Sequence, residues 1–376
     1  MRTIQGAACC IVGGAGFLGS HVVNHLVNDR SCKVLVIDNL VAGRREFVHP
    51  KATFKHADIT ASEEYLRQLF EQHKIKYVLN YAAWPYVVDS FSRPLHVFNV
   101  NATGALKIIN AAQAAGCKGI LQISSAEIYG DAGQVRHATM RGNPLDPDSC
   151  EIVGYKYEGI KIGETSRVAP HSSYGAAKAA IDAMVQVRWR EAKTPCIALR
   201  QFNAVGERET HEYVVPEIIR QLDKQRRLIR YTSARAGKNR FATPENATVN
   251  LGNDSLRDFI YAGDQARMAV ELLEKGQFGE VYNLGSETGI KIYDLAKLIG
   301  KLMGFENVTV EKDPSRVRPW EIWHLQSDNS KIHSVIDARP QVDLEEALRR
   351  TIAWYESNGR RWPWEARSAD GILSAS

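Results

Sequence analysis

The strongest constraint on this chain is a run of seven residues, Gly13-Gly14-Ala15-Gly16-Phe17-Leu18-Gly19, set between the apolar stretch Ala8–Val12 and a helix-period stretch over 20–28. Glycines at Gly13, Gly16 and Gly19 permit a tight turn, let a pyrophosphate approach the backbone, and allow a helix to pack closely on a strand. A helix starting there presents amide donors and positive potential to an anion. A second apolar stretch, 33–37, runs into Asp38, nineteen residues after Gly19, where a carboxylate can hold an adenosine ribose diol. The pattern predicts a dinucleotide site. Asp38 would repel a ribose 2′-phosphate and so favours NAD, although Arg44 and Arg45 nearby keep NADP open as the alternative. Asp58 and Ile59 follow a third strand-like stretch. Asp58 is placed to accept from an adenine amino group or, equally, to cap the next helix in competition with Thr60 and Ser62.

The same alternation continues down the first half. Tyr77–Asn80, 119–123 and 196–200 read as buried strands, and the segments around 63–71, 101–115 and 174–190 read as helices. Repeated βαβ units predict an α/β fold with a doubly wound parallel sheet and ligands at the carboxyl ends of its strands. Beyond Arg200 the rhythm breaks.

Composition narrows the function classes. With 44% hydrophobic and 24% charged residues the chain is of ordinary globular character, which excludes disorder and coiled coil as its main architecture. Forty-eight basic against 43 acidic side chains leave +5, a mild preference for anions that falls short of a nucleic-acid binder. The stretch 224–240 holds seven basic residues and no acid, and reads as a solvated loop or a surface facing phosphates. Six scattered cysteines with no CxxC predict neither zinc site nor disulfide framework. No apolar run reaches the ~18 to 20 residues of a membrane span, and a cytoplasmic location is expected.

Tyr174 and Lys178 stand four apart at the start of a helical segment, so they share a face. An ammonium beside a phenol favours the phenolate, which predicts a lowered Tyr174 pKa and a general base near neutral pH. Ser124 and Ser125 end another strand. With these motifs in order, the chain resembles the extended short-chain dehydrogenase/reductase superfamily, and within it the NAD-dependent nucleotide-sugar epimerases, dehydratases and decarboxylases. The motifs are GGAGFLG at 13–19, VIDNL at 36–40, YAA at 81–83, SSAEIYG at 124–130, YGAAK at 174–178, RQFNAVG at 200–206, RDFIYAGD at 257–264, YNLGS at 282–286 and RPWEIWHLQSDNSK at 318–331.

The resemblance implies a Rossmann-like NAD-binding domain over 1–200, with 253–275 returning to it. A smaller, discontinuous α/β nucleotide-sugar-binding domain would comprise 201–252 and 276–360, followed by a tail, 361–376. It places Gly13, Gly16, Phe17, Leu18, Gly19, Asp38, Asn39, Asp58, Ile59, Ala82, Ala83, Tyr174 and Lys178 on NAD. It places Ser125, Ala126, Glu127, Asn203, Val215, Arg257 and Arg318 on a nucleotide-diphosphate sugar, the two arginines on its diphosphate. Tyr174 would take the C4 hydroxyl proton, Lys178 orient the cofactor, and Ser125 hold the C4 oxygen of a 4-keto intermediate. Glu127 would take the C5 proton, which the C4 ketone acidifies; the family's dehydratases and decarboxylases carry a glutamate at this step and its simple 4-epimerases a small or neutral residue, so the chain is expected to be a dehydratase with internal hydride return, the alternatives being a 4-epimerase and a uronate decarboxylase. A homodimer through helices 101–115 and 174–190 is also implied.

The chain departs from the family pattern at several points. Tyr81 replaces a histidine, Glu207 a proline, Trp320 a glycine, and Ala126 the aspartate of thymidine-sugar dehydratases. Trp84, Pro85 and Tyr86 make a bulky loop. The interval of 49 residues from Ser125 to Tyr174 contains an aperiodic insertion, 131–163, readable as a lid or as a remote surface loop.

Overall fold

The computed structural model describes residues 2–141, 151–210, 213–235 and 245–358. The centre of the insertion (142–150), the end of the basic stretch (236–240) and the tail (361–376) lie outside the described residues. In chain order the first strands are β1 (Ala8–Val12), β2 (Lys33–Asp38), β3 (Thr53–His56), β4 (Tyr77–Asn80), β5 (Gly119–Ser125), β6 (Gln134–Arg141) and β7 (Glu151–Gly159). There follow β8 (Cys196–Gln201), β9 (Asn203–Val205), β10 (Asn246–Leu251), β11 (Leu256–Tyr261), β12 (Val281–Leu284), β13 (Gly289–Lys291) and β14 (Asn307–Lys312).

Seven strands form one parallel sheet in the order β12-β8-β5-β4-β1-β2-β3. The order reverses between β1 and β4, and an open α/β sheet leaves its ligand crevice at that point. Side chains alternate between two cores because successive residues of a strand face opposite sides. Cys9, Ile11, Val34 and Val36 pack with the helices Phe17–Asn28 and Ala262–Lys275. Cys10, Val12, Leu35 and Ile37 pack with Glu63–Gln72, Ala105–Ala114 and Ser173–Ala192. Burial on both faces explains why these strands read as continuous apolar runs.

A third core belongs to the smaller layer. Val215, Ile218 and Leu222 of the helix Val214–Arg235 meet Val249, Phe259, Leu295, Ile299 and Leu348, supported by the pairs β10–β14 and β9–β11–β13. Two expected boundaries move. The resemblance places 276–360 in the cap, yet β12 adds to the edge of the central sheet beside β8, and Ile332 and Ile336 pack with Tyr282 and Leu284 in its core. Within 253–275 the helix returns to the large domain, whereas β11 pairs with β9 and β13. Periodicity could not assign strands as short as four residues to one sheet or another.

The insertion is a β-hairpin, β6 against β7, with a register shift at Thr139/Met140. Its described side chains are largely exposed, so no apolar face marks it in sequence. No described residue of 131–163 lines the large cleft described below. The described part of the basic stretch, 224–235, is helical rather than a loop. It continues the helix Val214–Arg235, and Arg226 pairs with Asp223 and Glu356. Among the described residues no helix is long and apolar enough to cross a membrane.

Candidate active site

A cleft of about 930 Å³ runs along the carboxyl ends of the sheet and beneath the smaller layer. One wall is made almost wholly by backbone. Gly13 has φ +78°, and a Cβ there would stand 2.6 Å from Ala82 N; a Cβ at Gly19 would stand 2.2 Å from Gly13 O. The turn is therefore closed against β1 and against the segment after β4 at distances only glycine tolerates. Gly16 is the N-cap of the helix Phe17–Asn28, with no side-chain cap and no acid in the first turn. Those first-turn amides suit a pyrophosphate. Asp38 is buried, accepting from Ala15 N at 2.9 Å and Leu40 N at 2.8 Å, and burial pushes its carboxyl up.

Asn39, Asp58, Ile59, Ala82 and Ala83 line the same wall. Asp58 accepts from Asn39 Nδ2 at 2.6 Å and from the Thr60 amide and hydroxyl at 2.7 Å, while Ser62 caps the next helix by accepting from Tyr65 N. Asp58 is thus released from helix capping, and its bond to Asn39 joins the segment after β2 to the segment after β3.

The reactive floor lies where β5 ends. Ser125 Oγ accepts from Glu127 N at 3.2 Å, which caps a tight helical turn and turns the Glu127 side chain into the cleft. Opposite, Ser172 caps the helix Ser173–Ala192 by accepting from Gly175 N at 3.0 Å, so Tyr174 and Lys178 occupy its first turns on one face. A Cβ at Gly175 would stand 2.9 Å from Glu127 O, so this helix packs closely on the Glu127 turn. The Tyr174 phenol shares a hydrogen bond with Ser125 and feels the Glu127 charge.

Burial first, then Glu127, pushes the Tyr174 phenol above its ordinary value, with the Ser125 hydrogen bond opposing. The expected lowering by Lys178 does not arise, because its ammonium donates to Ile123 O at 3.0 Å and lies 5.9 Å from the ring centroid. Burial holds Lys178 itself down at about 8.

The other wall is built from side-chain charge. Asn203, Arg257 and Arg318 line it, as does Ala126 on the floor. Arg257 is 7% exposed and bonds Glu321 at 2.8 Å and Leu256 O at 2.9 Å; Glu321 also accepts from Asn253 at 2.6 Å. The ion-pair alternative to a diphosphate contact is therefore occupied for Arg257, through Glu321. Asp258 is occupied elsewhere, accepting from the amides and hydroxyls of Ser286 and Ser327 and from Glu287 N. Arg318 stands 3.6 Å from Glu127. Val215 does not line the cleft. It points into the small-layer core, while Tyr213 and Val214 take the lining position, because Val215 begins the buried stripe completed by Ile218 and Leu222.

The departures from the family pattern acquire partners. Tyr81 exchanges hydrogen bonds with Gln265, and Glu207 accepts from Tyr261. Sequence reasoning passed over Asn101, whose side chain accepts from Trp84 N at 2.7 Å and donates to Trp84 O at 3.0 Å. Asn101 lies in a π-helical turn, Asn99–Gly104, a distortion common at functional sites. Only the neighbouring bulky Trp84 loop hinted at it.

A glycine-turn dinucleotide wall joined to a Ser-Tyr-Lys floor defines a nicotinamide-dependent enzyme of the short-chain dehydrogenase/reductase type. The model of the NAD dependent epimerase/dehydratase family matches residues 9–285, and the chain belongs to that family. NAD is its cofactor, and the glycine turn, uncapped helix and Asp38 fit it. The chain is 30% identical to dTDP-D-glucose 4,6-dehydratase of Mus musculus over 363 residues, covering 94% of this chain and 89% of the relative. It is 27% identical to UDP-glucose 4-epimerase of Streptococcus mutans, covering 93% and 97%. Among solved structures, UDP-glucose 4-epimerase of Thermotoga maritima with UDP-glucose aligns with a TM-score of 0.74 at 25% identity, covering 93% and 99%.

Proposed function

We propose that the chain dehydrates a nucleotide-diphosphate hexose through a 4-keto intermediate. The observation that carries this reading is Glu127, a carboxylate held in the first turn after Ser125 and within electrostatic reach of Tyr174. NAD supplies reversible hydride acceptance at C4 when bound. Tyr174 takes the C4 hydroxyl proton, and Ser125 holds the C4 oxygen. The ketone acidifies C5–H, and Glu127 accepts that proton. Ala126 has no proton to give, so Glu127 also delivers its proton to the departing C6 hydroxyl, which leaves as one water; the hydride taken from C4 returns to C6 of the resulting 5,6-alkene and Glu127 passes a solvent proton back to C5, so the cycle closes with no net redox change. Lys178, buried against Ile123 O, orients Tyr174 and the cofactor ribose. Asn203 and Arg318 receive the diphosphate.

Mass spectrometry of reactions with thymidine- and uridine-linked hexoses in deuterated water tests this. Dehydration yields product lighter by one water with deuterium at C5, and Glu127→Gln abolishes it. Product of unchanged mass and altered stereochemistry, the expectation for a 4-epimerase, would overturn the reading. Loss of carbon dioxide from a nucleotide uronate would do the same.

The chain is further read as a cytoplasmic homodimer. Val88, Phe91, Leu95 and Phe98 are exposed next to the helices of the implied four-helix contact, and Leu95 is 86% exposed. Leu95→Asp should convert a dimer to a monomer in light scattering; a wild-type monomer would defeat the assignment.

A further inference from the structure

Two arginines face the substrate wall, and they differ. Arg257 is locked by Glu321 and a backbone carbonyl. Arg318 comes from the loop after β14 and keeps a third of its side-chain surface exposed, and its ion pair, 3.6 Å long, is with Glu127. This pair joins the cation suited to a diphosphate with the carboxylate suited to C5–H. Arg257 carries charge interactions with both members, so the three groups share one field. A diphosphate offers a guanidinium two negative charges and several acceptors, against the single charge of a carboxylate.

We propose that Arg318 is a shared cation that pairs with Glu127 until a diphosphate competes for it, so that engagement of the nucleotide end releases the base at the sugar end. The proposal rests on Glu127 being the C5 base, as read above. Arg318 acts as a positioning residue. While paired, the Glu127 carboxylate is held towards a cation; once the diphosphate draws Arg318 away, the carboxylate faces the sugar alone. Free sugars and sugar monophosphates, which cannot recruit Arg318 as strongly, then leave the base restrained.

The test is a double-mutant cycle on binding. Thymidine diphosphate and uridine diphosphate, without sugar, are titrated calorimetrically into the NAD-loaded protein. Glu127→Gln should tighten the binding of at least one by roughly two- to fivefold, the worth of one partly exposed ion pair. In an Arg318→Met background the same substitution should change nothing. A gain that persists in that background means simple charge repulsion and overturns the proposal, as does no gain at all or no binding of either diphosphate. Glu127→Ala repeats the comparison without a new amide donor, and thermal melting verifies that each variant is folded. Normal dehydration by Glu127→Gln would sink the C5-base reading whatever the cycle shows. Lost dehydration with no coupling would sink the shared cation alone.

Discussion

The two walls of the cleft are made of different material. The cofactor wall is backbone: a glycine turn, strand ends and the start of a helix, with Asp38 and Asp58 held by local amides and hydroxyls. The substrate wall is a set of long side chains, Arg257, Glu321, Asn253 and Arg318, joined by contacts between segments far apart in the chain. A backbone wall is fixed by the chain's own turns, whereas a side-chain wall is set by pairings that a ligand can displace.

The comparison can be broken experimentally. The floor common to both walls should give the largest effect: Tyr174→Phe is expected to lower kcat by about 10²- to 10⁴-fold, the usual worth of a general acid–base group, with NAD affinity retained. Steady-state kinetics beside cofactor fluorescence titration checks it. On the substrate wall, Glu321→Gln leaves the Arg257 guanidinium buried without its counter-charge. A loss of about 3 to 5 kcal/mol in chemical denaturation is expected, largely recovered in an Arg257→Leu/Glu321→Leu double variant. If the single change were neutral, the wall would not depend on charge pairing.

On the cofactor wall, Gly19→Ala should act through space alone. Its Cβ would meet Gly13 O at 2.2 Å, so the turn must shift. A cost of about 1 to 3 kcal/mol is expected, seen as weaker NAD binding whose salt dependence matches the wild type. The smallest effect concerns Lys178, whose pKa burial lowers from 10.5 to about 8. Below pH 8 the folded and unfolded chains both keep the proton, and the folded state bears the full desolvation. Between about 8 and 10.5 the folded protein sheds it first, so folding gains as pH rises. Lys178→Met should therefore stabilise the protein without NAD by about 1 to 2 kcal/mol at pH 7, net of the hydrogen bond lost at Ile123 O, with the gain fading towards pH 10.5. Thermal melts across that window test the sign.

The same contrast governs how much could be read in advance. The inner strands β1, β2, β4 and β5 announce themselves because both faces are buried, and Gly13, Gly19 and Asp38 because a tight turn and a fixed spacing leave few alternatives. The hairpin β6–β7 was illegible since its described side chains are mostly solvated and carry no period-2 contrast. Val215 was misplaced because a helix register, invisible in a short motif, decides which of two adjacent valines is core. Asn101 escaped notice because its function is a clamp on the backbone of Trp84, seventeen residues away.

The sequence by itself determined the βαβ frame and the dinucleotide turn, since each depends on interactions within a few residues or on burial that the inner strands repeat, while the resemblance singled out Ser125, Glu127, Tyr174 and Lys178. Only the tertiary structure decided the partners of charge: Glu321 for Arg257, Glu127 for Arg318, Ile123 O for Lys178. Electrostatic energy depends on distance and burial in space, and neither is ordered along the chain.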